Sequence, residues 1–357
     1  MGYRRETDSL EEKRPKRNRE PKENGLFLAV ILTYLALTLV LGVLEAAGIT
    51  LQLPLVLALI LGELTLAIPT LLYLLLQRPG RQVLSMGQRL PLSAIPLLIL
   101  MAYCVMPMVS VINLISMALS GENAAAPMLG TLQQLPVWLS LLCVAVLPGV
   151  VEEFIFRGLL YRQYRQRRVW PAILASAFLF GLMHMNLNQF CYAFAIGILF
   201  CLVYEATGSL LAPMLMHMVY NGNSVVLSYR LIDSETLYGS AELTAQDMAE
   251  LIHAFTDGGQ MLITGLLMAV IGLIGLAAAG GLYVAVVKLC GREKQVLLLF
   301  QRNAWQKRMD LESQKMGSNE KNEIGTEMAI SRKIGGPKFW IGVVLSMIVI
   351  FLGVLLR

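Results

Sequence analysis

Residues 148–158 read PGVVEEFIFRG and place two adjacent carboxylates and an arginine inside an otherwise apolar stretch. The stretch lies within an apolar block at 136–160, and about 20 apolar residues suffice to cross a hydrocarbon core roughly 30 Å thick. A charged residue at the centre of a membrane helix costs roughly 2.5–3.5 kcal/mol on insertion scales, so it usually faces a cavity or a partner. The stretch therefore predicts a membrane helix whose charged side chains point into the protein.

Composition indicates that the bilayer is the solvent for most of the chain. Of its 357 residues, 56% are hydrophobic and only 15% are charged, whereas about a quarter of a typical soluble domain is charged. Apolar blocks predict membrane spans near 25–47, 52–76, 93–119, 136–160, 170–187, 190–206, 209–228, 260–288 and 339–356. The predicted fold is an all-α, polytopic membrane helix bundle of about eight core helices with an added C-terminal span.

The blocks also divide the chain into regions. Residues 1–24 carry dense charge of both signs and are expected to form a disordered cytoplasmic tail. The transmembrane bundle is predicted over 25–289, with its motif-bearing core at 136–228. Residues 290–338 are expected to be a polar cytoplasmic segment, and 339–357 a C-terminal transmembrane helix.

Basic residues predict the orientation of the chain. They follow the second, fourth and eighth spans, as Arg78, Arg81 and Arg89, then Arg162, Arg165, Arg167 and Arg168, then Arg292, Lys294, Arg302, Lys307 and Arg308. The loop at 120–135 has no Lys or Arg, and the loop at 229–259 has only Arg230. Because cytoplasmic loops carry an excess of Lys and Arg, a cytoplasmic N-terminus and an external C-terminus are predicted. These flanks account for the net charge of +5, so no nucleic-acid partner is expected.

Helix geometry places the side chains of the two glutamates on different faces of the helix. Glu153 and Arg157 are four residues apart, so they share a helix face and can pair. Glu152 points about 100° away from Glu153 and is left available to another partner. In a later span, His217 and Asn221 are also four apart and can donate hydrogen bonds into the same space.

Hairpin geometry brings a histidine to the depth of Glu152. Glu152 precedes Arg168 by 16 residues, and His184 follows Arg168 by 16. Equal offsets from the turn of an antiparallel helical hairpin place two residues level. His217 lies about nine residues beyond the turn at 206–208, or roughly 13 Å at 1.5 Å per residue. Glu152 and His184 reach this depth if the hairpin at 162–168 protrudes about two turns into the cytoplasm, which its arginines favour. We therefore predict one shared cavity in the cytoplasmic half of the membrane.

A buried carboxylate with two imidazoles and an amide suits attack of water on an amide bond. The carboxylate can take a proton from water, and imidazole and amide groups can stabilise the developing oxyanion. The same residues suit a zinc site, with Glu152, His184 and His217 as ligands and water in the fourth position. The sequence has no His-Glu-x-x-His helix, so both chemistries stay open at this stage. The five cysteines include no Cys-x-x-Cys pair, which argues against a cysteine metal site.

Three motifs, taken in order, resemble the family of CAAX proteases and bacteriocin-processing enzymes, also called the CPBP or Abi family. They are Glu-Glu-x-x-x-Arg, Phe-x-x-x-His and His-x-x-x-Asn, and the matching residues are Glu152, Glu153, Arg157, Phe180, His184, His217 and Asn221. The eukaryotic relative of this family is the type II CAAX prenyl endopeptidase, or Ras-converting enzyme.

The resemblance implies an intramembrane endopeptidase in the cell membrane. Glu152 and His184 would activate water, and His217 and Asn221 would form the oxyanion hole. Glu153, Arg157 and Phe180 would support the site. The implied substrate is a membrane-embedded or lipid-anchored protein or peptide. No cofactor is firmly implied, and Zn²⁺ stays open.

Two other functions are compatible with parts of the sequence. A non-catalytic bacteriocin-immunity or scaffold protein could share the fold. A transporter also places carboxylates and histidines at depth, but the chain shows no repeated halves of the kind typical of transporters. Among the remaining charged residues, Glu63 has no assigned role, and Glu45 and Glu205 are expected to reach the interface near span ends.

Overall fold

A computed structural model describes residues 20–49, 51, 53–78, 84–121, 132, 134–166, 169–238, 258–300 and 334–355. The secondary structure of these residues is helical, and they contain no strand beyond an isolated bridge between Gly87 and Ser209. The all-α prediction is therefore confirmed. Most of the predicted N-terminal tail and polar segment, and the acidic loop from 239 to 257, lie outside the described residues.

Each predicted span corresponds to one helix. The helices are α1 Glu23–Ala46, α2 Leu55–Gln77, α3 Ala94–Ser120, α4 Val137–Arg165, α5 Val169–Met183, α6 Leu187–Thr207, α7 Leu211–Tyr238, α8 Gly258–Leu289, the short α9 Glu293–Leu297 and α10 Pro337–Leu355. Within the described ranges, seven of these are long and apolar enough to cross a membrane, namely α1, α2, α3, α4, α6, α8 and α10. The chain is a multi-pass membrane protein.

Hydrogen bonds between loops define the two ends of the bundle. At one end, the N–H of Gln88 donates to the carbonyl of Gly208 at 2.9 Å, which joins the segment before α3 to the turn before α7. Arg162 and Arg165 at the end of α4 lie there too, and we call it the basic end. At the opposite end, called the far end, the Tyr229 hydroxyl on α7 donates to the carbonyl of Leu132 at 2.6 Å.

Glu205 lies two residues before the end of α6, as expected, and is enclosed by charged partners from other segments. Its side chain is fully buried near the basic end. Nε of Arg165 donates to one carboxylate oxygen at 2.6 Å, and the Tyr161 hydroxyl donates to the same oxygen at 2.8 Å. Nη2 of Arg292 lies 3.9 Å from the second oxygen. The ion pairs explain the burial, because an unpaired carboxylate would be costly there.

Two glycines let α8 approach α3 closely. A Cβ on Gly272 would lie 3.0 Å from Cα of Met108, and one on Gly275 would collide with the carbonyl of Cys104. A Cβ on Gly280 would meet nothing within 4 Å. Small residues at such an interface let helix backbones pack against each other in lipid.

The last helix is part of the bundle rather than a separate anchor. α10 packs against α1, where Gly342 lies against the ring of Phe27. The carboxylate of Glu20 accepts hydrogen bonds from the backbone N–H groups of Phe339 at 2.9 Å and Lys338 at 3.2 Å. Glu20 therefore satisfies two backbone donors in the first turn of α10, which have no partner within the helix.

Candidate active site

The backbone of α4 is irregular on both sides of the glutamate pair. It contains π-helical turns at Leu142–Val146 and Phe154–Tyr161, and the segment Leu147–Glu153 between them is α-helical. π-Helical turns within α-helices occur frequently at functional sites. Pro148 has no N–H to offer the carbonyl of Val144 four residues earlier. That carbonyl accepts a hydrogen bond from Nδ2 of Asn221 at 3.0 Å.

Glu153 is a structural carboxylate with two partners. Its Oε1 accepts a hydrogen bond from Nη1 of Arg157 at 2.8 Å, as the four-residue spacing predicted. The same oxygen lies 3.0 Å from Nδ1 of His217. Arg157 is fully buried, donates to the carbonyl of Gly197 at 3.2 Å and lies 4.3 Å from the ring centre of Phe180. The motif residues of α4, α5 and α7 therefore form one connected network.

Glu152 turns away from this network toward a cavity. Its side chain lines the cavity and is only slightly exposed. Its Oε2 lies 3.9 Å from Nε2 of His217, and within the described part of the chain no hydrogen-bond donor holds it. A buried carboxylate without a fixed donor is suited to bind a water molecule. Glu153 pairs with Arg157 as predicted and Glu152 does not, although both carboxylates lie next to the ring of His217.

Glu63 on α2 is a third carboxylate close to the site. It lies near enough to Glu152 for the two carboxylates to interact electrostatically. Its Oε2 is buried and has no hydrogen-bond partner among the described residues. Sequence reasoning found no role for Glu63, because no spacing rule connects α2 to α4.

His184 directly follows the last residue of α5, at the turn that leads into α6. Its Nδ1 lies 2.9 Å from the carbonyl of Phe180, and a carbonyl only accepts, so Nδ1 carries the hydrogen. Nε2 of the neutral ring is then an acceptor. Met185 follows with a left-handed φ of 53°. Oδ1 of Asn186 then accepts from the N–H of Gln189 at 3.0 Å and caps α6. This turn fixes the position of His184.

His217 and Asn221 share a face of α7, as predicted, and they contact each other. Nδ2 of Asn221 lies 3.1 Å from Nε2 of His217. In this arrangement one amide hydrogen of Asn221 points to His217 and the other to the carbonyl of Val144. The pair therefore reaches an oxyanion only when the contact between the two side chains opens.

All four predicted catalytic residues meet at one cavity of about 290 Å³, which Glu152, His184, His217 and Asn221 line together. Phe180 lines it as well. Glu152 lies near the middle of α4, because 13 residues separate it from Arg165 and 15 from Val137. The depth of the cavity relative to a membrane stays a prediction.

The side chains do not fit the zinc alternative as they are placed. The described His, Cys, Asp and Glu residues include no group of three that could hold a metal ion. Both ring nitrogens of His217 are already engaged, by Glu153 and by Asn221.

Comparison with known proteins agrees with the motifs. A family model for type II CAAX prenyl endopeptidases, described as Rce1-like, matches residues 134–222. This range contains every motif residue from Glu152 to Asn221. The chain is also similar to the membrane-embedded CAAX protease MroQ of Staphylococcus aureus (strain USA300), with 29% identity over 106 residues.

The alignment with that relative is partial. It covers 28% of this chain and 42% of the relative, so the chain spans about two fifths of the length of the curated relative it matches. No solved structure matches the chain.

Proposed function

We propose that this chain, which belongs to the family of CAAX proteases through residues 134–222, is an intramembrane endopeptidase that uses water activated by Glu152 and His184. One observation carries the proposal. Glu152 and His184 line the same cavity, where the first has no hydrogen-bond donor among the described residues and the second presents an acceptor nitrogen. We place the catalytic water between them.

The proposed reaction begins with that water. One of its hydrogens points to Glu152 and the other to Nε2 of His184. Glu152 takes a proton while the water oxygen forms a bond to the carbonyl carbon of the peptide. The C–N bond of the resulting tetrahedral intermediate then breaks, and the proton held by Glu152 moves to the leaving nitrogen. The products are a carboxylic acid and an amine.

Stabilisation of the oxyanion is assigned to His217 and Asn221. Donation from Nε2 of His217 requires a hydrogen on that nitrogen, and Glu153 at Nδ1 would stabilise the resulting positive charge. Asn221 would turn one amide hydrogen from His217 toward the oxyanion. Donors placed in a site that excludes water lower the barrier of acyl transfer more than they would in bulk water.

The test is cleavage by the purified protein. The full chain in liposomes is incubated with a library of apolar peptides, and new peptide ends are identified by mass spectrometry. The chain is expected to cut a subset of peptides, and a matched His184→Ala preparation is expected to leave them intact. Equal cleavage by both preparations, or none by the folded wild-type chain across substrate classes, would overturn the proposal. The second outcome would favour a non-catalytic immunity or scaffold role.

A further inference from the structure

Past the catalytic residues, the lining of the cavity continues toward one end of the bundle. Along α7 its wall runs from His217 through Ser224 to Ser228, next to Tyr229 of the far end. Since α6 begins at the far end and α3 finishes there, Gln189 on α6 and Asn113 on α3 continue the wall on the same side. The path from the site therefore leads toward the far end of the bundle.

Toward the basic end, the space behind the site is filled. Phe200 stacks on His217 with ring centres 5.3 Å apart, and Arg157 lies 5.1 Å from the ring centre of Phe200. Beyond them, Tyr161 and Glu205 are fully buried and hydrogen-bonded to each other. These packed side chains occupy the interior between the site and the basic end.

The distribution of charge assigns each end to a side of the membrane. Arg162, Arg165 and Arg292 lie at the basic end. The segment 120–135, which connects α3 to α4 at the far end, has no Lys or Arg. By the excess of positive charge in cytoplasmic loops, the basic end is cytoplasmic and the far end is not.

The cavity wall also indicates the chemistry of what it receives. Between the catalytic residues and the far end the wall presents aromatic and aliphatic groups from Tyr192, Tyr220 and Ile196, and an amide from Gln189. Within the described part of the chain, the cavity is lined by no Lys or Arg. A wall of this kind favours an uncharged segment and offers no cation for a carboxylate.

We propose that the substrate is an uncharged peptide segment that enters the site from the far end, on the non-cytoplasmic side of the membrane. This inference rests on the proposed function, because a peptide is a substrate only if the chain is an endopeptidase. The direction of the path rests on geometry and on the charge of the loops. It would suit a protease that cuts proteins or peptides after part of them has been exported.

Access can be measured without any cleavage. Ser224→Cys places a thiol on the cavity wall, and the exposed Gln88→Cys places one at the basic end. Intact cells and permeabilised cells are treated with a charged maleimide that does not cross membranes. Modification is read at each cysteine by mass spectrometry, which separates these thiols from the five native ones.

Modification of Ser224→Cys in intact cells, with Gln88→Cys modified only after permeabilisation, is the expected result. Modification of Ser224→Cys only after permeabilisation would overturn the proposal. Modification of Gln88→Cys in intact cells would place the basic end outside the cytoplasm and would also overturn the proposal. Because no step requires activity, the result stands even if the protein cleaves nothing.

A second measurement links access to cleavage. Attaching the bulky maleimide to Ser224→Cys is expected to lower cleavage of an uncharged peptide by at least about tenfold, because it occupies the cavity along the proposed path of the substrate. The same treatment of Gln88→Cys should leave cleavage unchanged. Undiminished cleavage by the fully modified Ser224→Cys protein would exclude this path for the substrate.

Discussion

Glu153 and His217 are 64 residues apart in the chain, and Oε1 of the first lies 3.0 Å from Nδ1 of the second. The second glutamate of the pair therefore does more than neutralise Arg157. It holds the imidazole ring and determines which ring nitrogen turns toward the cavity. The two adjacent carboxylates are placed differently, since Glu153 contacts the imidazole of His217 and Glu152 lines the cavity, where we propose that it binds water.

Glu152→Gln tests the task of the first carboxylate. The amide keeps the shape of the side chain but cannot take a proton from water, so the cleavage rate should fall by roughly 10²- to 10⁴-fold. Yield and thermal stability should be preserved, because a neutral amide costs less to bury than a carboxylate. Glu45→Gln changes an exposed glutamate in the same way and should leave the rate unaltered. A Glu152→Gln protein with the wild-type rate would refute the assignment.

Arg157→Ala should be destabilising for a reason that a second substitution can reveal. It leaves the fully buried Glu153 without its cation, and breaking a buried pair in this way costs about 3–5 kcal/mol. The apparent melting temperature in detergent should fall sharply. The double variant Glu153→Gln/Arg157→Ala removes the stranded charge and should melt higher than Arg157→Ala alone. If the double variant melts lower still, the loss is one of packing rather than of charge.

Treatment with a chelator distinguishes the zinc-dependent mechanism from the metal-free mechanism, both of which the motifs allow. An open catalytic zinc site has three protein ligands, and the described side chains do not provide such a group here. Cleavage should therefore persist after prolonged treatment with a strong chelator and should not rise when zinc is added. Loss of activity that zinc restores would show that Glu152, His184 and His217 rearrange around a metal ion.

The sequence predicted correctly those features that depend on a single continuous segment. The spans follow from apolar blocks of membrane length, and the pair of Glu153 with Arg157 follows from helical periodicity. The sequence did not predict the surroundings of side chains that contact other helices, because it does not show which helices are neighbours. Glu205 looked like a residue at the edge of a span, yet Arg165 and Arg292 from other segments surround it. The position of Glu63 beside Glu152 depends on helix packing in the same way.

Gly275 and Gly280 form a matched pair on α8 for testing helix packing. A Cβ at Gly275 would strike the backbone of α3, and one at Gly280 would meet nothing within 4 Å. Gly275→Ala should therefore push the two helices apart and lower the apparent melting temperature by several degrees. Gly280→Ala should leave it equal or slightly higher, because Ala favours a helix over Gly. Equal effects at both positions would contradict the close approach.

The hydrogen bonds of Glu20 to the first turn of α10 predict that the stability of α10 packing depends on pH. Burial opposes its charge, but hydrogen bonds from Phe339, Asn24 and Lys338 together hold the pKa of Glu20 below its ordinary value of 4.5. Because the folded-state pKa is the lower one, this stabilisation is complete above the unfolded value and is lost as the pH falls through the folded value. Melting temperatures in detergent from pH 7 to pH 3 should show the loss. Glu20→Gln should remove this component, and an unchanged profile in that variant would assign it to another group.

The 15 residues of α5 have a consequence for the lipid around the protein. At 1.5 Å per residue the helix is about 22 Å long, some 8 Å less than the hydrocarbon core of a typical bilayer. Leu174 on its outer face is nearly half exposed, so part of α5 faces the lipid. A bilayer meets such a mismatch by thinning or by admitting water beside the short segment. The protein would thus deform its own membrane next to His184, and bilayers of short-chain lipids would fit it with less deformation than thick ones.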